Sequence, residues 1–114
     1  MVNARKKWIR YELELVKKYK EVGFKDAKTS RFASKMVDDL WVDIIEVWEF
    51  LPQAKNYKRN FGVWQAIDLI KWIKKKFKKW VPVIHIRLTE KRKAVVVLEQ
   101  DDYFNLLKKL NDSD

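Results

Sequence analysis

The chain has 114 residues, 47% of them hydrophobic and 37% charged, with 2 glycines, 2 prolines and no cysteine. That length and apolar content predict a single domain over 1–114 and exclude a disordered or low-complexity chain, while the missing cysteines exclude disulfides and thiolate zinc sites. With 26 Lys and Arg against 16 Asp and Glu, the net charge of +10 points to a polyanionic partner.

In chain order, Ala4 to Val22 reads as a helix, with Gly23 as its left-handed C′ residue and Phe24 as the hydrophobic follower. A helical projection gathers Trp8, Ile9, Leu15, Val16, Tyr19 and Val22 around Glu12 and sends Arg10, Glu14, Lys17, Lys18 and Glu21 to the far side. Glu12 therefore lies inside an apolar stripe, where a carboxylate needs a cationic partner, a metal or a raised pKa. A buried structural salt bridge and a functional carboxylate both answer that need. Lys25 to Arg31 reads as a short polar strand, and Phe32 to Asp39 as a loop or helical turn. Trp41 to Trp48 is rich in β-branched and aromatic residues and reads as a strand. A tight turn near Glu49 leads to another strand, Phe50 to Tyr57. Phe61 to Lys79 is the next helix, with Val63, Ala66, Ile67, Ile70, Ile73 and Phe77 as its buried stripe. Val81 to Leu88 and Lys93 to Glu99 are two strands joined by a polar turn around Thr89 to Arg92. Asp101 is the expected N-cap of a last helix through Leu110. The order α-β-β-β-α-β-β-α predicts an α/β domain, a mixed β-sheet flanked by helices.

Charge is segregated along this frame. Between Gln53 and Trp80 stand nine basic residues and one acid, Asp68, so a quarter of the chain carries +8 of the +10. Acids gather instead at Asp38, Asp39, Asp43, Glu46 and Glu49, and again at Glu99, Asp101 and Asp102. Asp38 and Asp39 read as turn residues. Asp43 sits in an otherwise apolar strand, and Gln53 and Lys55, two apart, share a face of the next strand. If those two strands form a hairpin, the three converge, and the first helix adds Glu12. Oxygen ligands with an ammonium beside them suit a hard cation such as Mg²⁺, with Mn²⁺ as its substitute. The lysine would orient a water against a phosphodiester, and the metal would stabilise charge on the phosphate oxygens. A strand-end aspartate that merely caps a loop is the plainer reading of Asp43.

Glu12, Asp43 and Gln53-Ala54-Lys55 together resemble the PD-(D/E)xK nuclease core. More closely they resemble the archaeal and phage Holliday junction resolvases, with Arg10 to Leu15 similar to the opening helix and Trp41 to Ile45 similar to the aspartate strand. The resemblance, from about Lys6 to Leu107, implies a restriction-endonuclease-like core. It implies Asp43 as central metal ligand, Gln53 as a neutral ligand or water-holder, the Ala54 carbonyl as an extra ligand, and Lys55 as the residue positioning the water. Glu12 would bind metal directly or through water. Arg31 and Ser34, with Lys35 beside them, resemble residues near the scissile phosphate. Three departures stand out: Gln53 replaces the usual glutamate, Trp41 stands where glycine is frequent, and Pro52 cannot donate to a sheet ladder.

The expected activity is that of a Mg²⁺-dependent endonuclease on branched DNA, working as a homodimer because a four-way junction asks for two opposed cuts. Lys58, Arg59, Lys74, Lys75 and Lys78 are the expected DNA contacts, although a lysine run is also an ordinary solvated helix face. A nicking or restriction-type endonuclease, a non-catalytic DNA-binding module with a decayed site, and a basic structural protein of a virus or chromatin are the alternatives. His85, alternating with Ile84 and Ile86, reads as a structural or surface histidine. Trp72 and Trp80, bordering the basic face, are core residues by default and stacking surfaces otherwise. No apolar run approaches the roughly 20 residues of a membrane span, and no signal-peptide core follows the N-terminus. A cytoplasmic protein of archaeal, bacterial or phage origin, without a membrane partner, is the expectation.

Overall fold

Residues 4–29, 43–57, 62–88 and 93–112 are described by the computed structural model, the side chains of residues 4, 5, 7 and 57 excepted. Helix α1 (Ala4–Glu21) ends as its glycine dictates. Gly23 takes φ +117°, its N–H donates to the Lys20 carbonyl at 3.1 Å, and the Phe24 N–H donates to the Tyr19 carbonyl at 3.0 Å. This is a complete Schellman motif, which pairs carbonyls that the helix end would leave bare. Phe24 closes it by packing edge-on against Tyr19 at 5.9 Å.

Strand β1 (Lys28–Thr29) pairs antiparallel with β2 (Ile44–Ile45), Thr29 opposite Ile44. The long strand expected from Trp41 to Trp48 is shorter. Trp41 and Val42 lie outside the described residues, and after Ile45 the backbone turns through Glu46 at φ 65° and Trp48 at φ 60°. Both values are left-handed, which a strand does not accommodate. The expected turn near Glu49 is present, with the Phe50 N–H donating to the Val47 carbonyl at 3.2 Å.

Strand β3 (Phe50–Tyr57) crosses through helix α2 (Val63–Lys76) to β4 (Val81–Leu88), which lies parallel to it. Parallel neighbours need a long crossover, and α2 supplies it. Strand β5 (Lys93–Val97) runs antiparallel to β4, giving the order β3-β4-β5. The chain is thus a mixed α/β protein with a three-stranded mixed sheet and three long helices among the described residues.

Two cores lie on opposite faces of this sheet. Tyr11, Leu15 and Val16 of α1 bury against Ala27, Ile44, Val47 and Ala54. Ile70 and Ile73 of α2 bury against Leu51, Ile84 and Ile86. Strand alternation sorts them: Ile84 and Ile86 face α2, so His85 faces α1, where its Nε2 meets the Tyr19 hydroxyl at 2.5 Å. Burial lowers the His85 pKa to about 4, and the imidazole is a structural group, as expected. In α2 the predicted stripe is narrower than its sequence. Ala66, Ile70 and Ile73 are buried, but Val63 at the first turn is exposed. The last helix, α3 (Gln100–Asp112), begins one residue ahead of the expected Asp101 cap, the Tyr103 N–H donating to the Glu99 carbonyl at 3.0 Å. Asp101 and Asp102 then occupy the first turn, where the helix dipole favours them. Among the described residues no helix is long and apolar enough to cross a membrane.

Candidate active site

Strand β3 has β4 on one side. Among the described residues, its other edge meets Asp43 and Trp8. The Asp43 N–H donates to the Pro52 carbonyl at 3.0 Å, and the Ala54 N–H donates to Asp43 Oδ2 at 2.7 Å. Along a strand the N–H and C=O of one residue point to one side and those of the next to the other. Pro52 therefore turns its missing N–H to this edge, where no ladder bond with β4 is lost, and the expected conflict between proline and strand disappears. The same alternation directs the Ala54 and Asn56 carbonyls to this edge. Trp8 of α1 caps the far end, its Nε1–H donating to the Asn56 carbonyl at 3.1 Å.

That indole bond fixes the site in space. Trp8 and Glu12 stand one turn apart on α1 and share a face, so pinning Trp8 to β3 brings Glu12 beside Asp43. The Glu12 carboxyl is 5% exposed and hydrogen-bonds the Asp43 carboxyl. Trp8 was not singled out by sequence as a site residue. Its one signal was the four-residue spacing to Glu12.

Gln53 and Lys55 lie opposite Ile84 and Ile86 in the parallel register, so both leave β3 on the face that carries α2. Lys55 is long enough to reach back to the edge. Its Nζ lies 5.4 Å from the centre of the Trp8 ring, and its charge acts on Asp43. Gln53 is 2% exposed, and its Oε1 makes no hydrogen bond among the described residues. A buried amide oxygen without a donor is costly and rare. The structure thus joins Glu12, Asp43 and Lys55 at one edge, and holds Gln53 two residues away on the same strand as Lys55.

The electrostatics follow from burial. Asp43 is pushed from its ordinary 3.8 to about 7, chiefly by burial and further by the Glu12 carboxyl, against the pull of the Ala54 N–H and the Lys55 ammonium. Burial also lowers the Lys55 pKa, and the negative charge of Asp43 partly restores it. Two adjacent buried carboxyls and the edge-facing Ala54 carbonyl form a small oxygen donor set, whereas the expected fourth member, Gln53, leaves the strand on the α2 face and is not brought to them. Such a set fits a hard divalent cation, which takes one or two carboxylates and retains waters.

Of the expected DNA contacts, Lys75 and Lys78 are exposed beside the other lysines of the α2 terminus. Lys74 is engaged elsewhere: its Nζ bonds Glu99 Oε1 and Asp102 Oδ2, both at 2.9 Å. Burial opposes its charge, but these two carboxylates outweigh it and raise the pKa. Arg31, Ser34, Lys35, Lys58 and Arg59 lie outside the described residues, as do Asp38 and Asp39. Comparison with known protein families, with characterised proteins and with solved structures finds no match to this chain.

Proposed function

We propose that the β3 edge is the active site of a divalent-metal-dependent endonuclease acting on branched DNA. In this reading the chain is a restriction-endonuclease-like domain resembling the Holliday junction resolvases, and it works as a homodimer. The observation that carries the reading is the meeting of Glu12 from α1, Asp43 from the residue leading into β2, and Lys55 from β3 at one buried edge. The exposed lysines at the end of α2 support a phosphate-rich partner.

Glu12 and Asp43 would hold Mg²⁺ or Mn²⁺ with the Ala54 carbonyl beside them, and Gln53, the neutral ligand that the resemblance implies, would join only by turning from the α2 face. Bound there, the cation supplies Lewis-acid stabilisation of the charge that builds on the phosphate oxygens. Lys55 does the rest of the local work. Its ammonium is held by Trp8 and Asp43, and burial weakens its hold on its proton. It therefore orients the attacking water by hydrogen bonding and balances charge beside the phosphate. The neutral Gln53 leaves the donor set one charge short of a glutamate, which weakens metal affinity.

A second reading, a DNA-binding module without catalysis, draws on that same neutral residue. One experiment separates them. Labelled four-way junction, flap and duplex are each incubated with the protein in Mg²⁺ and in EDTA. Paired symmetric nicks in the junction, in Mg²⁺ alone and absent with Asp43→Asn or Lys55→Ala, are expected. Retained junction binding without cutting in either Mg²⁺ or Mn²⁺ selects the second reading, and cutting by the two variants at the native rate removes the site assignment.

A further inference from the structure

Helix α3 is amphipathic with its apolar side turned outward. None of its residues is buried, and Tyr103, Phe104, Leu107 and Leu110 are exposed by 48%, 56%, 41% and 68%. The opposite flank carries the attachments to the rest of the chain: Asp102 to Lys74, and Lys109 to Glu49 Oε1 at 2.6 Å. A helix held by ion pairs while its large apolar side chains meet water inverts the usual arrangement. It marks a surface that another element covers.

From this pattern we infer that α3 packs antiparallel against α3 of a second copy of the chain, across a two-fold axis passing between residues 105 and 106. The spacing of α3 fits a heptad in which Phe104 and Leu107 form the seam, Tyr103 and Leu110 flank it on one side, and Asp101 and Lys108 flank it on the other. Antiparallel pairing about that axis sets Phe104 of each copy against Leu107 of the other, and Tyr103 against Leu110. It sets Asp101 against Lys108 twice, leaving no flanking charge unmatched. A parallel arrangement brings like residues together and loses both ion pairs. The charges already engaged within the chain, Asp102 and Lys109, lie on the back of the helix and are not required. The apolar face contains no cation, only Gln100 and Asn111 as polar members, so a nucleic-acid backbone is a poor occupant. A self-complementary patch of this kind is what a closed two-fold dimer needs.

This inference rests on α3 alone and names the surface of the dimer that the nuclease reading calls for. Its test does not involve cleavage. Sedimentation equilibrium of the full chain is expected to give a reversible dimer. Leu107→Lys, at an exposed position, is expected to sediment as a monomer with an unchanged far-UV spectrum. Asp101→Lys should weaken the dimer by about tenfold, since two ion pairs become two repulsions, and adding Lys108→Asp to it should restore the native constant. A native protein that is monomeric at every concentration overturns the inference. So does a dimer indifferent to Leu107→Lys, or a charge exchange that fails to rescue. A monomer that still cuts junctions overturns this inference and the homodimer of the proposed function but leaves the β3-edge site standing, and a dimer that cuts nothing leaves this inference standing.

Discussion

At Asp43 the cost of burial and the nearness of Glu12 produce a carboxyl that ionises near pH 7 rather than 3.8. Between those values the folded protein holds a proton that the unfolded chain has released, so stability falls as pH rises through the interval. The whole effect is bounded by about 4 kcal/mol. Asp43→Asn removes the ionisation and keeps an oxygen for the Ala54 N–H. Thermal melts should therefore show Asp43→Asn more stable than the native protein at pH 8, with the difference gone near pH 4. A native melting temperature flat between pH 4 and 8 would show that Asp43 does not titrate in this way. The identities of Glu12, Asp43 and Lys55 were legible from sequence, because a carboxylate in an apolar stripe and an Asp in an apolar strand are both conspicuous. Their means of meeting was not. It depends on the Trp8 bond to Asn56 and on the edge-facing groups around Pro52, which only long-range pairing creates.

Among the elements, α1 shows the closest agreement between local chemistry and structure. Gly23 at φ +117° is a position that side chains with a Cβ rarely adopt. Gly23→Ala should cost about 1 kcal/mol, read as a lower denaturant midpoint with an unchanged slope, although no atom crowds the site. Strand β2 is the opposite case. Its residues suit an extended chain, yet Ile44 and Val47 both bury under α1. Residues three apart in a strand face opposite ways, so the chain must twist between them, and the left-handed Glu46 follows from that demand, while Trp48 takes its left-handed φ in the turn that the Phe50 N–H closes on the Val47 carbonyl. Tertiary packing overrides strand propensity here, which no local pattern announces. Helix α3 escaped sequence reasoning for a related reason: its apolar stripe reads like any core stripe until the ion pairs on its other flank show which way it faces.

Over the whole molecule the +10 charge is not uniformly available to a partner. Lys74 is spent on Glu99 and Asp102, whereas Lys75 and Lys78 stand in solvent. If DNA phosphates bind there, each contact released by mutation should reduce the slope of log affinity against log salt by about 0.9. Lys75→Ala and Lys78→Ala are each expected to do so. Lys74→Ala should leave the slope alone and loosen α3 instead, seen as faster amide exchange along that helix. Equal slopes for all three variants would mean that the basic end of α2 is not the DNA surface.

At the β3 edge the paired Glu12 and Asp43 carboxyls, with Lys55 beside them, are the site proposed for a hard cation. Calorimetric titration with Mg²⁺ and Mn²⁺ tests it without any substrate. The native protein should bind the ion at pH 8, release a proton on binding near pH 6.5 as the metal displaces it from the carboxyl pair, and lose binding in Asp43→Asn and Glu12→Gln. Absence of binding by either ion, or equal binding by Asp43→Asn, would contradict the account.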